Sequence, residues 1–557
     1  MSTVEHRSRE VAIRLRDGVV LRGTLHLPGA ADAVRVPTLL QRTPYDRADP
    51  HETQTMTCLP VARALAAGFA VLLLDCRGRH GSAGAFEPFA AEADDARDVL
   101  AWVRAADFSD GRVVGYGPSY VGAVQFVGGE GGYDAILPAL TSAAPRRDWV
   151  RQGGAVNLGF LLTWIIEALA PHDLERRGIA ADDPRRLLLD SLLADPRAAL
   201  HRLPVLDGGL EAIAPWLADW LATPDDEQGD GQDDGQDDAG VPALHVAGLH
   251  DVFLEGSLAT YAAMRAGAAG DRQHLVLGPW SHGERGEWQG VLRHAGGAAS
   301  AIDLAGRQLA FAEAVLAGRR PAMPRVLHYL TGAGRWCVAE EWPPPSAPHV
   351  LHLAPGELRA TPGPAAEVVV RADPADPVPT CGGPTFLPGM AVCRHAGPHD
   401  QRPIEARDDV AVFRSEPLEE PLTVVGPVVA ELSCSSDAID LDWAVRLVDV
   451  APDGVPHGVT DGIRRVRQEP GIMRVEIAIG HVSHVFGAGH RIGLQIAGSN
   501  HPRFDRATHT GADPWRTPPS RMRPAVQILH LGGEHVARIA LPVPVPPVPP
   551  VLPEEHP

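Results

Sequence analysis

Arg112-Val113-Val114-Gly115-Tyr116-Gly117-Pro118-Ser119-Tyr120-Val121-Gly122 is the stretch whose reading decides the fold. A β-branched run leads into a turn of small residues, and helix-compatible sequence follows. The pattern predicts a strand, a sharp turn and a helix start, with Ser119 at the apex. A serine held there is forced out of the top of a sheet, where a base can reach its hydroxyl. The flanking glycines permit the strained backbone and the close approach of helix to strand that bulky side chains would block. Short Gly/Ser turns are common, so the weight of this reading rests on what surrounds it.

Upstream, residues 11–28 alternate about Asp17-Gly18 and predict an opening β-hairpin. Residues 38–41 and 69–74 read as strands, and 61–67 and 89–105 as helices. Such alternation predicts a mostly parallel sheet with both faces covered. From 146 to 221 the periodicity becomes helical, rich in Trp, Leu and Ala and without a convincing strand. A helical insertion over the sheet is the simplest reading. It ends in a Gly/Asp/Gln tract, 224–240, with nothing to bury, which reads as a disordered surface loop. Strand–helix alternation then resumes, with strands at 243–248 and 274–277 and helices at 257–266 and 302–316. Beyond about residue 343, short strands broken by Pro and Gly, such as 423–433, 441–450, 473–479 and 491–496, predict a β-sandwich or jelly roll. The Pro/Val-rich tail, 541–557, reads as extended.

The bulk numbers fit a soluble globular protein of several domains. Of 557 residues, 45% are hydrophobic and 22% charged, which supports roughly two to four cores. The formal charge of −20 argues against a nucleic-acid or anionic-membrane partner, although seven Asp and one Glu fall within 225–238 alone. All 50 basic residues are arginine, a mark of a GC-rich genome more than of function. The start is polar and lacks a signal core, and no stretch reaches the roughly 18–20 apolar residues of a membrane span. Cys58, Cys76, Cys337, Cys381, Cys393 and Cys434 show no CxxC spacing and read as reduced, mostly buried thiols. The expected location is the cytoplasm. A homodimer is left open.

A serine hydroxyl needs a base, and the base needs a carboxylate to fix its tautomer. Where a serine sits on a strand–turn–helix elbow, the partners follow in the order acid, then histidine. The resumed alternation offers both at strand ends. Asp251 lies in Gly248-Leu249-His250-Asp251-Val252-Phe253, and His282 in Gly278-Pro279-Trp280-Ser281-His282-Gly283. Asp251 alone reads equally as a turn residue, and His282 alone as a solvated loop histidine. Their order, each after a strand, makes Ser119, Asp251 and His282 the expected catalytic set. His250 is the competing base, but it adjoins the acid and follows no strand of its own. For the oxyanion, the Tyr120 N–H is the expected first donor. Tyr45, in Gln41-Arg42-Thr43-Pro44-Tyr45-Asp46-Arg47 after an early strand, competes as second donor with a simple packing role.

At this point the chain resembles the cocaine esterase / X-prolyl dipeptidyl acyl-peptidase family of α/β-hydrolases. The resemblance runs along nearly its whole length. It is carried by Asp17-Gly18, Thr43-Pro44-Tyr45-Asp46, Asp75-Cys76-Arg77-Gly78, Gly81-Ser82-Ala83-Gly84 and the Ser119 turn, and by Asp251-Val252-Phe253 and Gly278-Pro279-Trp280-Ser281-His282. In the C-terminal half it is carried by Asp376-Pro377-Val378-Pro379, Gly382-Gly383, Asp400-Gln401-Arg402, Arg407-Asp408-Asp409-Val410, Asp449-Val450, Gly454 and Gly489-His490-Arg491. It implies an α/β-hydrolase core with an inserted helical cap, plus a C-terminal jelly roll. The expected division is core at 1–144, cap at 145–240 with the acidic loop near 225–239, core again at 241–345, and jelly roll with its Pro-rich tail at 346–557. The resemblance implies nucleophile, acid and base roles for Ser119, Asp251 and His282, an oxyanion hole from the Tyr45 hydroxyl and the Tyr120 N–H, and cleavage of esters and some amides without a cofactor. Family members commonly carry an aromatic pair before the acid, where this chain has Leu249-His250, which changes the wall beside it.

For the substrate, Trp149, Phe160, Trp164 and Phe253 are candidates for an apolar acyl or aromatic site, set against plain packing of cap helices. The function expected first is cleavage of a small-molecule carboxylic ester through an acyl-enzyme. An X-prolyl dipeptidyl aminopeptidase or α-amino acid ester hydrolase is the alternative. It would need a carboxylate for the substrate ammonium, with Glu167, Asp173 or Glu175 in the cap to supply it. An acyltransferase or a non-catalytic binding protein comes third. His481, His484 and His490 lack the helical spacing of a zinc protease. Cys76 near the sheet top reads as a buried spectator.

Overall fold

The computed structural model of the chain describes residues 6–29, 35–51, 53, 59–127, 132–222, 240–387, 395–546 and 551–552. Cys58, Cys393, the acidic tract near 225–239 and most of the Pro-rich tail lie outside the described residues.

The predicted opening hairpin pairs His6–Arg14 with Val20–Pro28, and Val20–Pro28 joins Ala70–Asp75 antiparallel. From there the described strands run parallel, in the order Ala70–Asp75, Val36–Thr43, Ser109–Pro118, Ala135–Ala139, Ala243–Gly248, Gln273–Gly278 and Val326–Leu330. Every residue of Ala70–Asp75, Ala243–Gly248 and Gln273–Gly278 is buried, as expected where helices cover both faces. Because these strands are parallel, their carboxyl ends share one edge of the sheet, and the loops after them meet there. Within the expected core at 241–345, sequence reading names no strand after the helix at 302–316. Val326–Leu330 and Arg335–Ala339 close the sheet as an antiparallel hairpin, in a segment that periodicity passes over.

The cap follows the strand Ala135–Ala139. Its helices include Leu158–Thr163, Pro184–Ala194 and Leu217–Ala222, and a π-helical turn spans Trp164–Leu169. The expectation of no strand here is corrected in one place. Arg151–Gln152 and Ala155–Val156 form a tiny hairpin around Gly153 and Gly154. It is too short for alternation to show, and it exists because the last domain holds it. Asp505 accepts hydrogen bonds from the Val156 N–H (3.0 Å) and Trp515 Nε1 (3.0 Å), and Arg503 donates to Gln152 Oε1 (2.8 Å).

The last part of the chain is all-β. All its described sheet strands but Met473–Phe486, which branches off by pairing with Leu422–Ser436, form one hydrogen-bonded path that curls until its two ends share a single apolar core. Buried Val370 and Leu529 enter that core from one end, and Trp443, Leu447 and Leu494 from the other. The start of the tail expected to be merely extended, 541–544, belongs to the strand Ala537–Pro544, a full member that pairs with both Ser346–Ala354 and Leu422–Ser436. Alternating Ala537, Ile539 and Leu541 are buried in that core, and the prolines that suggest a tail come only at its end.

Candidate active site

Ser119 opens the short helix Ser119–Ala123 directly after Ser109–Pro118. Its φ is +56°, a left-handed value that costs a non-glycine residue energy and persists only when neighbours enforce it. Two glycines make that possible. Gly117 has φ +130° and lies against Val121, and a methyl on Gly122 would sit 2.6 Å from Thr141 Cγ2 and 3.0 Å from the Gly117 carbonyl oxygen. The turn therefore holds Ser119, half-buried, at the carboxyl edge of the sheet.

Asp251 and His282 follow the strands Ala243–Gly248 and Gln273–Gly278, on the same edge. Their side chains meet there, with His282 Nδ1 2.8 Å from Asp251 Oδ1 and both residues buried. A carboxylate only accepts, so the shared proton belongs to Nδ1 and the imidazole lone pair to Nε2. The competing base, His250, does not share this contact. Its ring stacks near His294 instead, with centroids 5.8 Å apart.

Tyr120 is fixed by its side chain. The phenol donates to Glu92 Oε1 (2.9 Å) and accepts from the Phe89 N–H (3.0 Å). Glu92 also pairs with buried Arg42 (2.8 Å). Burial opposes the charge on Arg42, but Tyr133 and Glu92 outweigh it and raise its pKa. With the ring anchored, the Tyr120 N–H lies in the first turn of its helix, where backbone donors have no partner within the helix. Tyr45 lies after Val36–Thr43, and its hydroxyl accepts a hydrogen bond from Trp164 Nε1 (2.9 Å). Its ring is edge-on to Tyr120, with centroids 6.3 Å apart.

Arg79 ties the Tyr45 loop to the cap, a role that nothing in the periodicity announces. Completely buried, it donates to the carbonyls of Pro44 (2.8 Å), Leu169 (3.0 Å) and Ala168 (3.1 Å), and its guanidinium lies 4.9 Å from the centre of the Phe86 ring. Burial pulls its pKa down.

The four aromatic candidates come together in one cluster. Trp149 stacks on Phe253 (4.4 Å), Phe160 stacks on Trp164 (5.6 Å), and Phe160 meets Phe253 edge-on (4.8 Å). None is more than 3% exposed. Phe253 also packs edge-on against His282 (5.0 Å). Phe386 lies against His282 as well, at 5.2 Å, and touches Phe160. Sequence reading misses Phe386 because it comes from beyond the α/β core, far along the chain from the histidine it touches. Phe89, stacked on Tyr120 at 4.2 Å, is another that no pattern singles out.

A cavity of about 780 Å³ opens between the cap and the loop after Ala70–Asp75, lined by Phe86, Ile165, Trp216 and Asp173 among others. Of the carboxylates weighed for an ammonium, Asp173 is in this wall but pairs with Arg177 (3.0 Å). Glu175 is exposed, and Glu167 sits half-buried on the π-helical turn. Of the histidines weighed for a metal, His481 pairs with Glu255 (2.7 Å), while His484 and His490 both lie against Asp449 (3.1 and 2.7 Å). Among the described residues, no group of three or more His, Cys, Asp or Glu is arranged to hold a metal ion. Cys76, Cys337 and Cys434 are buried free thiols, and Cys381 is a partly exposed one. Burial pushes the Cys76 thiol well up. No helix among the described residues is long and apolar enough to cross a membrane.

Comparison with known proteins agrees with this architecture. Residues 17–284 match the family model of the X-Pro dipeptidyl-peptidase (S15 family), and residues 321–540 match that of the X-Pro dipeptidyl-peptidase C-terminal non-catalytic domain. The chain is 33% identical to the cocaine esterase of Rhodococcus sp. (strain MB1 Bresler), over 96% of this chain and 98% of that one. Among solved structures it is similar to an aminopeptidase from a marine sediment archaeon, Thaumarchaeota archaeon (TM-score 0.72, 25% identity, 97% of each chain). It also shares its fold with an α-amino acid ester hydrolase (TM-score 0.72, 24% identity, 97% of each chain).

Proposed function

The chain belongs to the cocaine esterase and X-Pro dipeptidyl-peptidase (S15) family and is a serine ester hydrolase, and from that premise we propose that Ser119, His282 and Asp251 cleave a small-molecule carboxylic ester through an acyl-enzyme. The observation that carries this reading is the 2.8 Å contact between His282 and Asp251 at the sheet edge where the strained Ser119 turn also lies.

In the proposed reaction the Ser119 hydroxyl attacks the ester carbonyl while His282 Nε2 takes its proton. Asp251 keeps the other ring nitrogen protonated and stabilises the imidazolium. The Tyr120 N–H and the Tyr45 hydroxyl donate to the oxyanion. His282 then returns the proton to the leaving alkoxide. Water, deprotonated by the same nitrogen, releases the acid from Ser119. Trp149, Phe160, Trp164 and Phe253 supply an apolar wall behind the reacting groups, with Phe253 next to the base. Such a wall favours an uncharged, hydrophobic acyl or aromatic group.

The expected outcome is turnover of p-nitrophenyl acetate and butyrate, lost in Ser119→Ala, with a mass increase of one acyl group on Ser119 when the reaction is quenched early. Turnover undiminished in Ser119→Ala would overturn the assignment. A second reading, cleavage after a free amino terminus, draws support from the similar archaeal aminopeptidase and from Asp173 in the cap cavity. The Arg177 partner already neutralises that carboxylate, which favours the ester. Gly-Pro-p-nitroanilide in the same assay separates the two, since the ester reading expects it to be left intact.

A further inference from the structure

The helix that begins at Ser119 spans only five residues, Ser119–Ala123, and carries both the proposed nucleophile and the proposed backbone donor. A helix this short has little stability of its own, so its place is set by what its ends touch. Both ends touch one ion pair. At the start, the Tyr120 phenol donates to Glu92 Oε1 (2.9 Å). At the end, the Val124 carbonyl accepts from Arg42 Nη2 (2.6 Å). Arg42 Nη1 joins the two contacts, donating to Glu92 Oε2 (2.8 Å) and to the Glu92 carbonyl (2.9 Å).

The same pair reaches the segment of the other proposed donor. Arg42 belongs to the strand Val36–Thr43, and Tyr45 follows that strand by two residues. The Tyr45 N–H donates back to Thr43 Oγ1 (3.1 Å), which ties its loop to the strand end. Glu92 opens the 14-residue helix Glu92–Ala105, so its carboxylate stands on a longer element than the one it holds. The other polar neighbours are the Cys76 thiol on Glu92 and Tyr133 on Arg42.

Stability alone is a poor reason for this pair. Arg42 is 2% exposed and Glu92 6%, and Arg42 Nε has no hydrogen-bond partner among the described residues. Desolvating two charges is costly, and well-packed apolar residues of similar volume often stabilise a core as well or better. Apolar residues cannot, however, hold a phenol hydroxyl and a helix-end carbonyl at fixed points. We propose that Glu92, held by Arg42, is a positioning residue for the ester-cleaving centre, fixing the Ser119–Ala123 helix so that the Tyr120 N–H is aimed where the Tyr45 hydroxyl is aimed. Glu92 touches none of the reacting atoms and acts through Tyr120. The proposal rests on the roles assigned above to Ser119, Tyr45 and the Tyr120 N–H. Acylation and deacylation both pass through an oxyanion, so misplacing this donor slows both steps and leaves substrate binding alone.

The test compares wild type, Glu92→Gln and Tyr120→Phe on p-nitrophenyl butyrate and with butylboronic acid. A nucleophilic serine converts the boronic acid to a tetrahedral adduct that places an oxygen in the oxyanion hole. Active sites are counted from the p-nitrophenol burst with diethyl p-nitrophenyl phosphate, so that kcat refers to folded protein. In Glu92→Gln, kcat should fall about tenfold with KM nearly unchanged, and the boronic acid inhibition constant should rise about tenfold. Tyr120→Phe keeps the ion pair and removes only the hydroxyl that joins it to the helix, and should raise the inhibition constant about threefold. A purely structural role predicts fewer active sites, with kcat per site and the inhibition constant unchanged. That result in Glu92→Gln would overturn the proposal. Should Glu92→Gln not fold, an unchanged inhibition constant in Tyr120→Phe would do the same. Failure of the underlying assignment reads differently, as wild type untouched by the boronic acid and turnover kept in Ser119→Ala, and would overturn both.

Discussion

A phenol can stabilise an oxyanion only if its proton is free to point there. At Tyr45 the Trp164 indole donates to the hydroxyl oxygen, a contact that uses a lone pair of that oxygen and not its proton. Tyr45→Phe should therefore lower kcat on p-nitrophenyl butyrate by roughly 10²- to 10³-fold. Tyr120 offers the contrasting case. Its proposed donor is the backbone N–H, and its phenol is spent on Glu92 and Phe89, so Tyr120→Phe should reduce stability by about 1–3 kcal/mol while costing far less in kcat than Tyr45→Phe. Steady-state rates and urea denaturation on both variants check the pair, and a Tyr120→Phe rate as low as that of Tyr45→Phe would contradict the division of labour. Ser119, Asp251 and His282 are each legible in sequence because every one follows a recognisable strand in the expected order. Phe386 is not, since an isolated aromatic in a loop has no periodicity to betray its contact with His282.

The strand–turn–helix at Ser119 is readable because its requirements are local. A methyl on Gly122 would meet Thr141 at 2.6 Å, so Gly122→Ala should destabilise the protein by about 1–3 kcal/mol, read as a lowered urea midpoint, and reduce activity further by shifting the turn. The link between the Tyr45 loop and the cap has no local signature. Arg79 reaches a carbonyl 90 residues away, and in sequence its charge is indistinguishable from that of any exposed arginine. Arg79→Met, which keeps the length and loses the hydrogen bonds, should leave those buried carbonyls unsatisfied. The expected result is a lower thermal midpoint together with a reduced kcat on p-nitrophenyl butyrate. Loss of stability with kcat intact would restrict Arg79 to a structural role.

At the scale of the molecule, the all-β part grips both the core and the cap. Glu255, in the helix Leu254–Ala266 just after the proposed acid, accepts from the His481 N–H (2.9 Å) and pairs with its ring (2.7 Å). Burial alone would lower the His481 pKa, but the carboxylate more than offsets this and raises it above 6.5. Burial alone would likewise raise Glu255, but His481, with Arg503 adding to the pull, brings it below 4.5. The raised histidine stabilises the fold fully below about 6.5 and ceases to as pH rises through its folded value. The lowered carboxylate stabilises it above about 4.5 and ceases to as pH falls through its folded value. The contact is thus strongest between those limits. The stability difference between wild type and His481→Gln should be larger at about pH 5.5 than at about pH 9, as urea titrations would show, and a difference that grows toward high pH would contradict the pairing. The sequence by itself determined the layered α/β core, the helical insertion, the β-rich end and the order in which the proposed serine, acid and histidine follow their strands, because strand period, helix period and turn chemistry are written within short windows. Only the tertiary structure decided that Phe386 faces His282, that Arg79 binds carbonyls in place of a carboxylate, that Asp505 pins the cap hairpin, and that Glu92 pairs with Arg42. Those contacts depend on how curled strands and inserted helices bring distant segments together, and no window of sequence contains both partners.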